Sequence, residues 1–577
     1  TMSFDGMVTG AIAHELNRKL TGGKIEKIYQ PESTGVILLI HANRQHYMLY
    51  LSAGSSHARM HLITEKDTNP QNPSGFCMLM RKHIQGGRIS SILQKDSERI
   101  VEISVETVNE LGFSISKKMV VEIMGKHSNI VIVDAISNKI LDSIKRISMD
   151  VNRYRQLLPG LQYVYPPTQE KQSYYDLTCE EIENFLIHSK ESEEIVPVSK
   201  VLLDHIQGIS PLISVEISEH GSHASSIFQT LEKLVKSIEE EDFSPCVYID
   251  PSKIPVDFHI FPISALEKTY EKLSFETANE AAEYYYLNKK SSNIIRQKSS
   301  DLERALKSNL DKLILKRKRL FQDIEKAENS EIYRLHGELL TANLHLIKPG
   351  DSSVTVLNYY DNTPLEIQLN VRLSPSQNAQ SFYKRYGKSK TAIKEKNIQL
   401  EETSKDIAYL ESVLSYIESA TSSEEIEELR LELIEGGYMK RRKNTYKPSK
   451  SKPMPHHYTT DDGFRVFVGK NNKENDVLTF KTAAGKDLWL HTKDIPGSHT
   501  ILFSDGKPFT EESIFQAASM AAFHSKGRSS ENVPVDYTQV RYVKKPSGAK
   551  PGMVIFTNNK TIYVNPKVPQ PTQRPSK

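Results

Sequence analysis

Apolar positions along this chain change period several times, and each change marks an element. Over residues 1–20, Met7, Ile12, Leu16 and Leu20 recur at helical spacing, and Gly22-Gly23 stops the run. Alternation of period two follows over 24–29, 35–41 and 47–52, as half-buried strands require. A second helical stretch at 76–84 ends at Gly86-Gly87, and strand patterns resume over 89–93, 99–105, 119–124, 130–134 and 140–144. The spacing predicts a mostly antiparallel α+β domain over 1–175.

From 179 to 222 the pattern turns helical. Residues 201–207, Gly208, Ile209, Ser210-Pro211 and 212–217 read as helix, tight hairpin, helix, within a domain over 176–230. Gly208 can take a left-handed backbone, Ser210 can cap the second helix, and Pro211 suits its first turn. Free N–H groups at such a hairpin suit a phosphate, and a purely structural corner suits the same residues. Strands at 246–250 and 258–262 return the chain to the first domain over 231–275.

Heptads then fall at 295–330 and 398–434, inside a region assigned to 276–436. Their seams run through Ile295, Leu302, Leu306, Leu313, Leu320, Ile324 and Ala327, and through Leu400, Ile407, Leu410, Leu414 and Ile417. A two-strand insert over 347–380, turning at Asn362, joins them, so the helices must pack antiparallel as a coiled-coil arm. Residues 437–458 form a basic, proline-bearing linker, and a final α/β block covers 459–566 with strands at 465–468, 477–479, 540–544 and 553–556 and a helix at 513–524. The tail, 567–577, is proline-rich and expected to be disordered. Two blocks joined by a helical spacer suit a protein that touches two distant points on a large partner.

The net charge of the 577-residue chain is only +3, yet its cations cluster, and phosphate binding follows local Lys/Arg density. Lys316-Arg317-Lys318-Arg319 and Lys440-Arg441-Arg442-Lys443 are candidate RNA contacts on this ground. Three scattered cysteines exclude a disulfide framework or a cysteine-based metal site. No apolar run reaches the roughly 18–20 residues of a membrane span, and the N-terminus lacks a secretory pattern, so a cytoplasmic protein without membrane contact is expected. Thr1 before Met2 reads as a cloning remnant.

The chain carries no Gly-rich nucleotide loop, no HExxH and no Cys pair at zinc spacing, so no cofactor or metal is expected. Three constellations remain. Glu122-Ile123-Met124-Gly125-Lys126-His127-Ser128-Asn129 is a strand end and a polar turn, with Glu122, Lys126 and His127 as candidate contacts. Asp96-Ser97-Glu98-Arg99 is another turn, where Arg99 can grip phosphate and Glu98 can accept from an amine or ribose hydroxyl. It also fits an ordinary surface ion pair. Around Trp489, the single tryptophan, stand Lys486, His491, Lys493 and His499; a lone tryptophan is usually a core anchor, and this interleaving also suits base stacking with phosphate pairing.

Six segments in order, SFDGM, FCMLMRKHIQGG, EIMGKHSN, GISPL, NAQSFYKRYGKSK and DLWLHTKDIPGSH, resemble the NFACT family, notably its bacterial ribosome-quality-control members. The resemblance implies an α+β multidomain chain: a glycosylase-like N-terminal domain, a helix-hairpin-helix domain, a coiled-coil arm with a middle insert, and a C-terminal RNA-binding domain. It implies binding to the large (50S) ribosomal subunit obstructed by peptidyl-tRNA, recruitment of alanine tRNA, and template-free alanine tailing that marks nascent chains. A small RNA-binding quality-control protein and a protease acting on tagged chains are implied partners. The ribosome makes the peptide bond, so the chain need not be an enzyme. Family residues for tRNA recruitment match Asp5, Glu98 and Arg99, with Glu98 standing where the family usually has Asp. A nucleic-acid glycosylase or lyase and a fibronectin-binding surface adhesin are the rival readings. Met2-Ser3 lacks the N-terminal proline amine that related glycosylases use.

Overall fold

The chain begins its first helix on a side-chain cap: the Asp5 carboxylate accepts the Val8 amide at 2.9 Å, satisfying a donor the helix cannot. In the computed structural model, which describes residues 3–65, 72–190, 196–440 and 454–569, two units form, 1–293 and 294–577. In the first unit α1 (Gly6–Leu20) is followed by β1 (Lys24–Glu32), β2 (Gly35–Ala42), β3 (Gln45–Ser52), β4 (Arg59–Ile63), α2 (Gly75–Ile84), β5 (Arg88–Gln94), β6 (Ile100–Val108), β7 (Ser114–Glu122), β8 (Asn129–Asp134) and β9 (Ile140–Ser143). The strands build one sheet, ordered β4-β3-β2-β1-β5-β6-β7-β8-β9, whose neighbours all pair antiparallel. Met7, Ile12, Leu16 and Leu20 of α1 are buried against it, as their spacing foretold, with Val8 beside them; the short β4 was not foreseen.

β10 (Gln172–Ser173) and α3 (Cys179–Lys190) lead into α4 (Val198–His205), β11 (Ile206–Gln207) and α5 (Pro211–Glu219). This is the expected hairpin: Gly208 has φ +91°, and the Ser210 side chain caps α5 ahead of Pro211. α6 (Ala224–Glu239) follows, then β12 (Cys246–Ile249), β13 (Pro255–His259), α7 (Ser264–Glu267) and β14 (Glu271–Ser274), a small antiparallel sheet. The buried Glu15 carboxylate accepts the amides of Ala278 and Asn279 and so anchors the first turn of α8 (Ala278–Glu328) to the unit.

In the second unit α8 continues, with α9 (Glu331–Ala342), β15 (Ser353–Asn358), β16 (Thr363–Gln368), α10 (Pro375–Ser419) and α11 (Ser423–Glu435) after it. Lys396 meets Asp323 at 2.7 Å and Lys298 meets Ser423 at 2.6 Å, so α8 and the later helices run in opposite senses. Leu302, Leu306 and Leu310 pack against Ile407, Leu410, Val413 and Ile417 and against Leu429 of α11. Two boundaries differ from the heptad reading. α10 starts at Pro375 because Ser374 and Gln377 form a capping box there, before the heptads begin, and the helical run breaks between Ser419 and Ser423.

The C-terminal block contains β17 (His456–Thr459), β18 (Arg465–Val468), α12 (Asn472–Val477), β19 (Leu488–Thr492), β20 (Thr500–Leu502), α13 (Glu511–Phe523), β21 (Val533–Gln539), β22 (Val543–Lys544), β23 (Ile555–Phe556) and β24 (Lys560–Val564). Its main sheet is ordered β17-β18-β20-β19-β21-β24. The strand expected at 477–479 is instead helical, because Asn471 accepts the Glu474 amide and starts α12, which a further turn extends to Thr482. Among the described residues no helix is long and apolar enough to cross a membrane. Arg441, Arg442, Lys443 and the end of the tail lie outside the described residues.

Candidate nucleic-acid interface

Three backbone segments of the first unit meet at one point. A Cβ added to Gly6 would lie 2.4 Å from the Ser97 carbonyl oxygen, and one on Gly208 would meet the same oxygen at 2.4 Å. Side chains stitch the junction. The Ser97 hydroxyl donates to Gln207 Oε1 at 2.9 Å, and Gln207 Nε2 donates to Glu98 Oε1 at 2.5 Å. Gln94 Nε2 donates to the carbonyls of Gly6 at 2.7 Å and Glu98 at 2.8 Å. The β5–β6 turn is therefore locked to the helix-hairpin-helix corner.

The junction floors a cleft of about 550 Å³. Asp5, the Glu98-Arg99 pair and His127, far apart in sequence, all line it, together with Gly208, Ile209 and Ser210 of the hairpin. Arg99 is half-buried: loss of water pulls its pKa down, and the charges of Asp5 and Glu98 push it back up. Burial raises the Glu98 pKa, against the opposing charges of Arg99, Lys171 and Lys95. A partly desolvated guanidinium recognises phosphate more strongly than one in free water.

Asp5 itself is only 4 % exposed, and its second oxygen meets His259 Nε2 at 2.9 Å. Burial alone would raise its pKa, but His259, the Val8 amide and Ser210 outweigh that and hold it low. Asp5 thus acts on the cleft as a fixed charge near Arg99. Glu122 departs from the expectation of a direct contact. It is fully buried and accepts Arg155 Nη1 at 2.8 Å and the Tyr163 hydroxyl at 2.9 Å, so it orients a cleft residue and offers no surface of its own. Lys126 and His127 are exposed on the turn Gly125–His127. Sequence reasoning missed Lys171, Gln207 and Arg155, which share the lining. Lys171 lies in a stretch without apolar period, and only the position of Gln207 beside the Gly208 hairpin hinted at a role.

In the C-terminal block, α13 covers one face of the sheet, and Leu478, Trp489, Ile501, Phe503, Val540 and Val543 cluster on the other. Trp489 is 1 % exposed and His499 2 %, so neither meets the expectation of stacking on RNA; both are core groups. Burial depresses the His499 pKa to about 3, and its ring bonds to the Thr479 hydroxyl at 2.8 Å and the Gly552 carbonyl at 3.1 Å. His491 is half-buried, with both ring nitrogens against carbonyls, of Thr492 at 2.7 Å and Gly497 at 3.2 Å. Lys486 and Lys493 remain exposed, and Arg541, whose amide bonds to the Gly485 carbonyl, adds an exposed cation near Lys486. The block also rests on the base of the helix pair. The Tyr416 hydroxyl accepts Asn475 Nδ2 at 2.7 Å and donates to the Gly497 carbonyl at 3.1 Å. On α8, Lys316, Lys318 and Arg319 are exposed and Arg317 is half-buried; Lys440 is exposed. Among the described residues no cluster of three or more His, Cys, Asp or Glu side chains could hold a metal ion.

Residues 5–452 match the NFACT N-terminal and middle domains, and residues 454–558 match the NFACT protein RNA binding domain. The chain belongs to the NFACT family. It is 38% identical to the Rqc2 homolog RqcH of Bacillus subtilis over 571 residues, covering 98% of each chain. The RqcH of Streptococcus suis is 37% identical, again with 98% of each chain covered. An archaeal Rqc2 homolog, aRqcH of Methanocaldococcus jannaschii, is 22% identical over 89% of this chain and 77% of its own. The cleft of the first unit therefore lies within the NFACT N-terminal and middle region, and the block with Lys486 and Lys493 is the NFACT RNA-binding domain.

Proposed function

We propose that this chain is a ribosome-associated quality-control factor. In this reading it binds large ribosomal subunits that still carry peptidyl-tRNA and brings alanine tRNA to the cleft of its first unit. Template-free alanine tailing then marks the nascent chain for degradation. The bond is made by the ribosome's peptidyl-transferase centre, and the chain supplies binding and orientation without catalysing a step. Exposed cations on α8 and on the RNA-binding domain contact ribosomal RNA, largely through phosphates.

One observation carries the tRNA assignment: Arg99 stands half-buried beside Glu98 and the fixed charge of Asp5, in a cleft that a helix-hairpin-helix corner also lines. Phosphate or a base edge can be gripped there by charge-assisted hydrogen bonds worth about 1.5–3 kcal/mol each. The relatives' designation as Rqc2 homologs supports the ribosomal setting. The test is to purify Arg99→Ala from cells with stalled translation and sequence the bound RNA. Alanine tRNA should fall about tenfold or more while 50S recovery stays near that of the unmodified chain. Loss of both together, or of neither, contradicts the assignment.

A further inference from the structure

Residues 147–157 make a closed excursion beyond β9. Ile147 and Leu157 exchange backbone hydrogen bonds of 3.2 and 2.8 Å, so the two ends of the loop meet. Inside it, the amides of Val151 and Asn152 both donate to the Ser148 carbonyl, at 3.1 and 3.0 Å. Asn152 Oδ1 accepts the amides of Tyr154 at 2.9 Å and Arg155 at 3.2 Å. Arg155 is anchored by the buried Glu122 and by the Val164 carbonyl at 2.6 Å. A loop held by this many bonds is already ordered before any ligand arrives.

Its residues divide by chemistry. Ile147, Asn152 and Arg155 line the cleft, whereas Met149, Val151 and Tyr154 are 66 %, 73 % and 97 % exposed. An ordered loop that leaves a tyrosine ring in water forgoes the burial such a ring usually finds. Next to the ring in sequence stands the exposed Arg153, and Lys126 and His127 are exposed on the turn that contributes His127 to the same cleft.

We propose that Tyr154, on the loop whose Asn152 and Arg155 line the cleft, is a stacking platform for an unpaired RNA base. The inference rests on the reading of the cleft as an RNA site and goes further, by specifying single-stranded nucleotides over duplex. Every base offers a π-face to an aromatic ring, and such stacking contributes about 1–3 kcal/mol per base. A rigid platform adds little ordering cost to that gain. An apolar loop tip could also receive a protein, but the exposed Arg153 next to the ring in sequence, and Arg155 of the same loop in the cleft lining, favour a polyanion.

The test measures binding of the full chain to an alanine tRNA transcript and to a fully paired RNA duplex of similar length. Tyr154→Ala, Tyr154→Phe and Arg99→Ala are compared with the unmodified chain. Tyr154→Ala should weaken tRNA binding about 5- to 150-fold and leave duplex binding unchanged, with Tyr154→Phe within about twofold of the unmodified chain. Since the ring is 97 % exposed, thermal unfolding should not move. Full tRNA affinity in Tyr154→Ala, with Arg99→Ala weakened, overturns the stacking role and leaves the cleft as an RNA site. Equal loss in the Phe and Ala variants also overturns it, pointing to the hydroxyl. Unchanged tRNA affinity with poorer retention on ribosomal particles assigns the loop to a protein partner instead. If the unmodified chain does not bind tRNA, or Arg99→Ala binds as well as it does, the functional reading falls and this inference with it.

Discussion

Gly6 and Gly208 approach so closely that a Cβ on Gly6 would lie 2.5 Å from the Gly208 Cα. The first begins α1 and the second turns the helix-hairpin-helix corner at φ +91°, so two separate elements share one backbone contact beneath the cleft.

Substituting alanine at Gly208 should therefore hurt twice. The left-handed backbone disfavours a Cβ, and that Cβ would meet the Ser97 oxygen at 2.4 Å. A loss of about 1–3 kcal/mol is expected in urea unfolding, together with weaker tRNA binding. A stable variant with an intact cleft would show that the junction is not required.

Glu122 should behave as a buried partner of Arg155 and Tyr163. Glu122→Ala leaves the Arg155 guanidinium and the Tyr163 hydroxyl without their acceptor, a change of about 3–5 kcal/mol. In a double-mutant cycle, adding Arg155→Met should recover part of that loss. Independent, additive effects would argue for a separate role of Glu122 at the surface.

Lys486 and Trp489 should separate cleanly. Trp489→Ala empties a core position that is 1 % exposed and should cost about 3–5 kcal/mol of stability. Lys486→Ala should leave the melting temperature alone and lower affinity for ribosomal RNA. It should also reduce the slope of log K against log salt by about one, the signature of a lost phosphate contact.

His499 predicts a pH dependence with a definite sign. Its pKa falls from 6.5 to about 3 on folding, so below 6.5 the unfolded chain binds the extra proton. Its contribution is at its full value above pH 6.5 and shrinks as pH falls toward 3, by up to about 1.4 kcal/mol per pH unit. Chemical unfolding of the full chain at pH 7 and pH 5 should show the loss, and His499→Gln should flatten it. Equal slopes in the two chains would exclude His499 as the source.

Local pattern carried much of this protein. The periods of two and 3.6 and the Gly208-Ile209-Ser210-Pro211 hairpin depend on neighbours in sequence, and α1, α2, the strands β1–β3 and the hairpin stand where the pattern put them, whereas 477–479, expected as a strand, is helical. The heptad stretches were legible for the same reason, although the Ser374–Gln377 capping box set an earlier start for α10 than the heptads suggested. What pattern could not supply is anything settled by long-range packing. Glu122 and Arg99 look alike as charged residues beside a turn, yet one is sealed against Arg155 and the other lines the cleft. Trp489 and Lys486 belong to one aromatic and basic run, but Trp489 sits on β19, which is covered on both faces, whereas Lys486 precedes the strand and stays exposed. Burial is decided by which distant segment covers a side chain, and that is known only once Asp5, Ser97 and Gly208 have been brought to one place.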